Sequence, residues 1–367
     1  LKIAFRADAS PKIGSGHVMR CLALAEALRR RGDETCFIAR AMPQSLRRRL
    51  EQSGHGVVLL QPSAWTRAVD ASDPPHAQWL DTDWETDASA TLSALGSGDL
   101  DWLVVDHYAL DARWSSRLRD RAKGVLAIDD VADRPLDADL VLDHNLQPDP
   151  QTRYLRRLIR PDPQKLMMGP TFALLRPEFS ALASLRNQPP RPVETLLIAF
   201  GGGDDHGAAQ RVLVELLAPP FEALRFIVVV GGLHPAKPDF EALSADHANI
   251  ELFVDTAEVA QLMLRSDLAI GAGGGMTYER MCLGLPAITI ALEHNQAEPA
   301  AYLAERGLST YLGRIDQLPS GAVARAVARA IEGQIDIAGQ SDAGMRLVDG
   351  RGASRVAARL HGDGGAD

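Results

Sequence analysis

The sequence predicts an α/β protein of two Rossmann-like, doubly wound domains facing a cleft, and three observations predict it. Short apolar runs recur down the whole chain, with helical patterns between them. Most of the runs are β-branched and lack polar alternation, as expected for strands covered on both faces. At 367 residues the chain is too long for one compact core of this kind and fits two of ordinary size. Strand–helix alternation implies parallel sheets joined by right-handed crossovers.

Taken in order, the expected strands of the first half are 2–5, 35–38, 57–60, 102–105, 125–128 and 140–142. Between them the period changes to that of a helix. After His17, for example, Val18, Cys21, Leu22, Ala25 and Leu28 fall on one stripe. The second half repeats the pattern at 196–200, 226–230, 250–254, 268–270 and 287–291. The polar, proline-rich NQPPRP stretch at 187–192 reads as a linker between a first domain over 1–186 and a second over 193–345. A C-terminal helix and a disordered tail account for 346–367, since HGDGGAD has nothing to bury. Residues 62–87 form a polar excursion rich in Asp, Pro and Trp, read as a surface loop, with a lid over the cleft as the alternative.

Hydrophobic residues make up 46% of the chain and charged residues 24%, the composition of a globular protein with a real core. The net charge of −9 argues against a nucleic-acid partner, which calls for a basic face. No stretch approaches the roughly 18 apolar residues of a membrane span, so no membrane insertion is expected. The opening LKIAFRADAS reads as a strand and not as a signal peptide, which makes a cytoplasmic location the expectation. Cys21, Cys36 and Cys282 match neither zinc spacing nor a disulfide framework and read as reduced core thiols.

Three segments carry chemistry. In FRADASPKIGSGHVMRC a strand runs into a loop and a helix; Gly14 and Gly16 let the backbone turn tightly and approach a ligand. His17 then stands at the helix start. Beside that positive helix end an imidazole tends to stay neutral, the state a general base requires; the alternative is a plain polar helix-start residue. In LAIGAGGGMTYERMC, Gly273, Gly274 and Gly275 precede a helix opening at about Met276, exposing N–H groups that suit a pyrophosphate. Thr277 adds a hydroxyl. Glu279 could bond ribose hydroxyls or serve as a first-turn acid. In ALEHNQAEPAAYL, Asn295 and Gln296 begin a helix and offer amides to sugar hydroxyl or acetamido groups, with an N-cap as the alternative for Asn295.

Two further strand ends follow. LVVDHYAL brings Asp106, His107 and Tyr108 toward the cleft, with Asp106 read as a loop-fixing carboxylate. LLIAFGGGDDHG supplies Gly201, Gly202 and Gly203 as a second close-approach loop. A dinucleotide fingerprint fails because Met19 stands where the third glycine belongs. There is no GxxxxGK[ST] and no HExxH, and no convincing DxD metal pair lies between the strands. The adjacent acids Asp129–Asp130 and Asp204–Asp205 read as turn or cap residues, so neither metal nor cofactor is expected.

The ordered set RADAS, IGSGHVMRC, VDHYAL, IDDVADRP, MGPTFALLRPEF, AFGGGDD, GAGGGMTYERMCLGLP and NQ resembles the UDP-sugar hydrolases of pseudaminic acid biosynthesis, the PseG family, over residues 2–335. The resemblance implies the GT-B fold of MurG, whose second domain holds UDP. It implies His17 as general base, Tyr108 and Asn295 near the sugar, the 273–277 loop at the diphosphate, Glu279 at the ribose and the Val254 backbone at uracil. Met276, where serine or threonine is common in such loops, contributes only its N–H. The family reaction releases UDP from UDP-2,4-diacetamido-2,4,6-trideoxy-β-L-altropyranose. The partners so implied are that UDP-sugar and, beyond it, other enzymes of the pathway, which decorates flagellin and other surface glycans. UDP leaves readily, whereas water needs a base, and one base contributes roughly 10²–10⁴-fold. Attack at C1 with inversion is therefore expected. The alternatives are a GT-B glycosyltransferase using the same site with a non-water acceptor, a binding module, and a UDP-sugar 2-epimerase.

Overall fold

The computed structural model describes residues 1–63, 65, 68–185, 192–203, 205–232 and 234–363. By its internal contacts the chain divides into two units, Leu1–Arg176 with Arg351–Asp367, and Pro177–Gly350.

The first unit runs β1 (Lys2–Ala7), α1 (Gly16–Arg29), β2 (Glu34–Ala39), α2 (Gln44–Gln52), β3 (Gly56–Leu59) and α3 (Trp84–Leu95). It continues with β4 (Leu100–Asp106), α4 (Ala112–Leu118), β5 (Ala122–Ile128), β6 (Leu140–Asp143), α5 (Pro150–Leu155) and β7 (Leu166–Met168). All seven strands join one parallel sheet in the order β3-β2-β1-β4-β5-β6-β7. The order runs outward from β1 on one side and from β4 on the other. Their carboxyl ends are level, Ala7 pairing with Asp106. Loops leaving two such strands diverge and leave a crevice where ligands of doubly wound sheets bind.

The second unit runs α6 (Pro177–Ala183), β8 (Thr195–Ala199), α7 (Ala208–Leu216), β9 (Arg225–Val230), α8 (Lys237–Asp246), β10 (Ile250–Val254) and α9 (Val259–Leu264). Then follow β11 (Leu268–Ala272), α10 (Met276–Cys282), β12 (Ala287–Ala291), α11 (His294–Glu305), β13 (Thr310–Arg314), α12 (Ala322–Ile331) and α13 (Ile337–Leu347). Its six strands are also parallel, ordered β10-β9-β8-β11-β12-β13, so the direction reverses between β8 and β11. Each half is thus a doubly wound α/β unit, as the alternating pattern implied.

A last helix, α14 (Gly352–Leu360), returns to the first unit and packs against α1. This explains a difference from the helical stripe. Val18, Cys21, Leu22, Ala25 and Leu28 are buried as expected, but so are Ala23, Leu24 and Ala27, because α1 is covered on two sides. Strand Phe5 stacks on Phe37 at 4.9 Å inside the same core. Each such ring contributes about 1.5–3 kcal/mol through burial.

Two strands, β7 and β13, were not expected. The first is an apolar run of only three residues flanked by Lys165 and Gly169, and the second is half-buried along its whole length and mixes polar with apolar side chains. The unit boundary falls at Arg176/Pro177, where the first domain was expected to reach 186. Helix α6 belongs to the second unit because Phe179 is fully buried and the helix packs on α9 and α10. Residues 187–191 of the expected linker, and residues 364–367 of the expected tail, lie outside the described residues.

Candidate active site

The loop after β1 is closed by a tight turn in which the Gly14 N–H donates to the Ser10 carbonyl at 2.7 Å. Gly14 has φ +77°, a left-handed conformation that a side chain would strain. Helix α1 opens at Gly16 with neither a side-chain cap nor an acid in its first turn. Its second residue is His17, buried at the end of the sheet.

Asp106 closes β4, the neighbour of β1, and accepts from His17 Nδ1 at 2.6 Å. It also takes two bonds from Arg20, at 2.6 Å from Nε and 2.7 Å from a terminal nitrogen. Burial alone would raise the Asp106 carboxyl. The Arg20 guanidinium and the His17 ring more than offset this and hold it well below the usual carboxylate range. Arg20 reaches on to Asp130 at 2.7 Å, and Asp130 accepts from the Tyr108 hydroxyl at 2.7 Å. The Tyr108 ring meets the His17 ring edge-on, centroids 4.6 Å apart. His17, Tyr108, Gly14 and Gly16 thus belong to one unit, and the first two touch.

The arrangement can do specific chemistry. A carboxylate that accepts Nδ1–H fixes the imidazole tautomer with its lone pair on Nε2 and stabilises the imidazolium once a proton is taken. Asp106, read from the sequence as fixing its loop, is instead the partner of His17. Asp129 does fill the turn role expected of it, accepting from the Ala132 N–H at 2.8 Å and from Arg134 at 2.6 Å. Asp130 does not; it holds Arg20 and Tyr108. The RADAS motif has a structural meaning of its own. Buried Arg6 pairs with Asp8 at 2.6 Å and with Asp87 of α3 at 2.8 Å, pinning the strand end from which the His17 loop departs. Next to this set, Asp143 ends β6; burial, then the Asp130 charge, push its carboxyl up to about 7. Burial lowers neighbouring His144 to about 4.

In the second unit the glycine loop follows β11, beside the reversal of strand order. Gly271 is required by close approach: a Cβ there would stand 2.2 Å from the Ala199 carbonyl and 2.7 Å from an Arg280 nitrogen. Arg280 is buried beneath the loop, donating to the Ala272 carbonyl at 2.9 Å and to Thr277 Oγ1 at 3.1 Å. Burial lowers its pKa to about 10, so it keeps its charge at neutral pH. Thr277 is buried; its N–H donates to the Gly274 carbonyl at 2.9 Å and its Oγ1 accepts from Arg280 of α10, which leaves the hydroxyl hydrogen to donate. Gln296 stands beside the loop, its Nε2 3.8 Å from where a Gly274 Cβ would lie. Its Oε1 accepts from the Leu292 N–H at 3.0 Å, fixing the start of α11. The N-cap of α11 is Glu293; Asn295 lies inside the helix and is exposed, so it is no cap. Glu279 is half-buried in the first turn of α10. Val254 ends β10 at the sheet edge, three strand positions from β11.

Asp205 caps α7 by accepting from the Gly207 and Ala209 N–H groups at 3.0 and 2.9 Å; Asp204 lies outside the described residues. Among the described residues no three His, Cys, Asp or Glu side chains are grouped to hold a metal ion. Nor, among them, is any helix long and apolar enough to cross a membrane.

No family model matches the chain. It is similar to the spore coat polysaccharide biosynthesis protein SpsG of Bacillus subtilis (strain 168), 26% identical over 199 residues, which are 54% of this chain and 56% of that protein. The chain thus matches little more than half the length of that relative. It is also similar to the UDP-2,4-diacetamido-2,4,6-trideoxy-β-L-altropyranose hydrolase of Campylobacter jejuni, 21% identical over 308 residues, 84% of this chain and 97% of that one. The resemblance to PseG-type hydrolases carried by the motifs is therefore present at weak identity across most of the chain. Among solved structures, MurG of Acinetobacter baumannii superposes with a TM-score of 0.60 at 17% identity, covering 99% of this chain and 100% of that one. The two-unit α/β fold expected from the sequence is the fold they share.

Proposed function

We propose that the protein hydrolyses a UDP-linked diacetamido-trideoxy hexose without a metal, releasing UDP and the free sugar by water attack at C1 with inversion, His17 acting as general base. The observation that carries this reading is the His17–Asp106 pair at the strand-order reversal of the first sheet. Donation of Nδ1–H to Asp106 leaves Nε2 to take the proton of the attacking water. The oxygen bonds C1 as the C1–O bond to UDP breaks, and the electron pair leaves with the diphosphate. Gly14, Gly16 and Tyr108, together with Asn295 and Gln296, are assigned to the sugar. Gly273, Gly274, Gly275, Met276 and Thr277 are assigned to the diphosphate, with Arg280 supplying positive charge from beneath. Glu279 takes the ribose, and the Val254 backbone the uracil. The Campylobacter relative, whose name states this activity over nearly its full length, supports the substrate. We place the reaction in the cytoplasm, ahead of the condensation that consumes the free sugar.

The test is incubation of the purified protein with UDP-2,4-diacetamido-2,4,6-trideoxy-β-L-altropyranose, followed by NMR. UDP and free sugar appearing in water alone support the reading. Release only after a second acceptor is added would favour a transferase.

A further inference from the structure

The excursion between β3 and α3, whose sequence suggested a surface loop, is anchored on both sides in its described part. Pro74, Ala77 and Leu80 are buried. The Lys12 ammonium donates to the Gln78 carbonyl at 3.0 Å, and Asp83 accepts from the Thr86 N–H at 2.8 Å to cap α3. The segment so held carries aromatic rings to the His17 site. The Trp79 ring lies 5.6 Å from Tyr108, tilted by 32°, and 6.3 Å from His17 at 78°. His76 stands 4.8 Å from Trp79 and 5.3 Å from Tyr108. Asp133 Oδ2 lies 3.4 Å from its Nδ1. Trp79 remains half-exposed, whereas Trp114 is sealed in the core with its Nε1–H on Asp87 at 3.0 Å.

We infer that Trp79, backed by His76 and Tyr108, is a specificity-determining residue that stacks on the apolar face of the substrate's sugar ring. This rests on the proposed reaction, in which His17 serves water at C1 and the hexose therefore lies next to His17. An indole face is electron-rich and apolar, so it favours C–H groups over hydroxyls. A 6-deoxy sugar with two acetamido methyls presents such a face; a 6-hydroxy sugar such as the N-acetylglucosamine of UDP-N-acetylglucosamine presents less of one. The uridine is assigned to other groups than these rings, so the wall distinguishes sugars and leaves UDP itself alone.

Calorimetric titrations would test this in the His17→Asn background, where substrate is not consumed. The probes are UDP, UDP-N-acetylglucosamine and UDP-2,4-diacetamido-2,4,6-trideoxy-β-L-altropyranose. Adding Trp79→Leu should weaken the diacetamido sugar nucleotide by about tenfold and UDP by less than about twofold, with Trp79→Phe recovering most of the loss. The preference over UDP-N-acetylglucosamine should shrink in parallel. An equal loss for UDP, no loss for the sugar nucleotide, or no binding of it at all would overturn the inference. Wild-type protein that binds the diacetamido sugar nucleotide through Trp79 yet releases no UDP would sink the hydrolase reading and leave the wall standing. Should Trp79→Leu not fold, as read by its melting curve, Trp79→Phe and His76→Ala carry the same comparison. Loss of sugar selectivity in His76→Ala supports the wall, and unchanged selectivity in both overturns it.

Discussion

His17 Nδ1 and Asp106 Oδ1 stand 2.6 Å apart, although 89 residues separate them in the chain. The sheet brings them together: β1 and β4 are neighbours in register, Ala7 beside Asp106, and the helix after β1 begins within reach of the end of β4. The pair is a consequence of where the strand order reverses, and the chemistry assigned to it inherits that position.

Replacing His17 by Asn or Leu is expected to lower kcat by about two orders of magnitude or more, the range of a lost general base, while UDP still binds. Steady-state kinetics beside UDP titration would check this. Near-normal turnover in either variant removes His17 from the mechanism.

Asp106→Asn should also cost activity, for a different reason. An amide can present its N–H₂ to Nδ1 and stabilise the opposite tautomer, with the proton on Nε2. We expect kcat to fall at least about tenfold with KM little changed. Half-buried Arg20 loses a carboxylate in the same variant, so thermal melting must be recorded alongside. A drop in stability with an unaltered kcat would return Asp106 to the loop-fixing role.

How much of this was legible in the sequence follows from the range of each interaction. The apolar runs, the α1 stripe and the glycine loops are local patterns, and they marked eleven strand cores, His17 and the 273–275 turn. What pairs with His17 was not local. Asp106 declared only a polar strand end, and choosing between a loop anchor and a histidine partner needs the sheet order. Arg20 offered a nearer signal: it lies one turn after His17 on the same helix and bridges Asp106 to Asp130. Trp79 sits in a segment whose composition is that of a surface loop; its burying residues, Pro74, Ala77 and Leu80, are too few to give a period. The return of α14 to α1 depends on contacts across almost the whole chain, and no window of sequence contains it.

Asp143 gives a pH-dependent prediction. Its carboxyl titrates at about 7 in the folded chain against 3.8 ordinarily, raised by burial and then by Asp130. As pH rises between those values the unfolded chain gives up the proton first, so this group lowers stability progressively across that window and adds no further change above it. Asp143→Asn removes the titration. The variant's stability relative to the wild type should therefore increase from pH 4.5 to pH 7.5, read as the difference in urea midpoints. A difference that stays constant with pH would show that Asp143 does not carry the shift.

Glu279→Ala is expected to weaken UDP binding by about 1.5–3 kcal/mol, as for a hydrogen bond to a charged group. Its position in the first turn of α10 allows a second role as a helix-start acid, worth less and felt only in folding. Titration with UDP and thermal melting separate the two. An unchanged Kd with a lowered Tm leaves Glu279 a structural residue.

Which bond breaks is the most decisive expectation. An enzyme attacking the diphosphate at phosphorus would normally enlist a divalent metal to spread the developing charge. The assignment made for this chain is different: Nε2 of His17, oriented through Asp106, deprotonates water for attack at C1, and backbone N–H groups of the glycine loop stabilise the departing diphosphate. Hydrolysis in ¹⁸O-water should then place the label on the C1 oxygen of the sugar and leave UDP unlabelled. The earliest NMR spectra should show the anomer opposite to that of the substrate, before mutarotation mixes the two. Activity should persist in EDTA. Label found in the phosphate, or activity abolished by chelator and restored by Mg²⁺, would mean that phosphorus is the atom attacked and that His17 serves some step other than deprotonating water at C1.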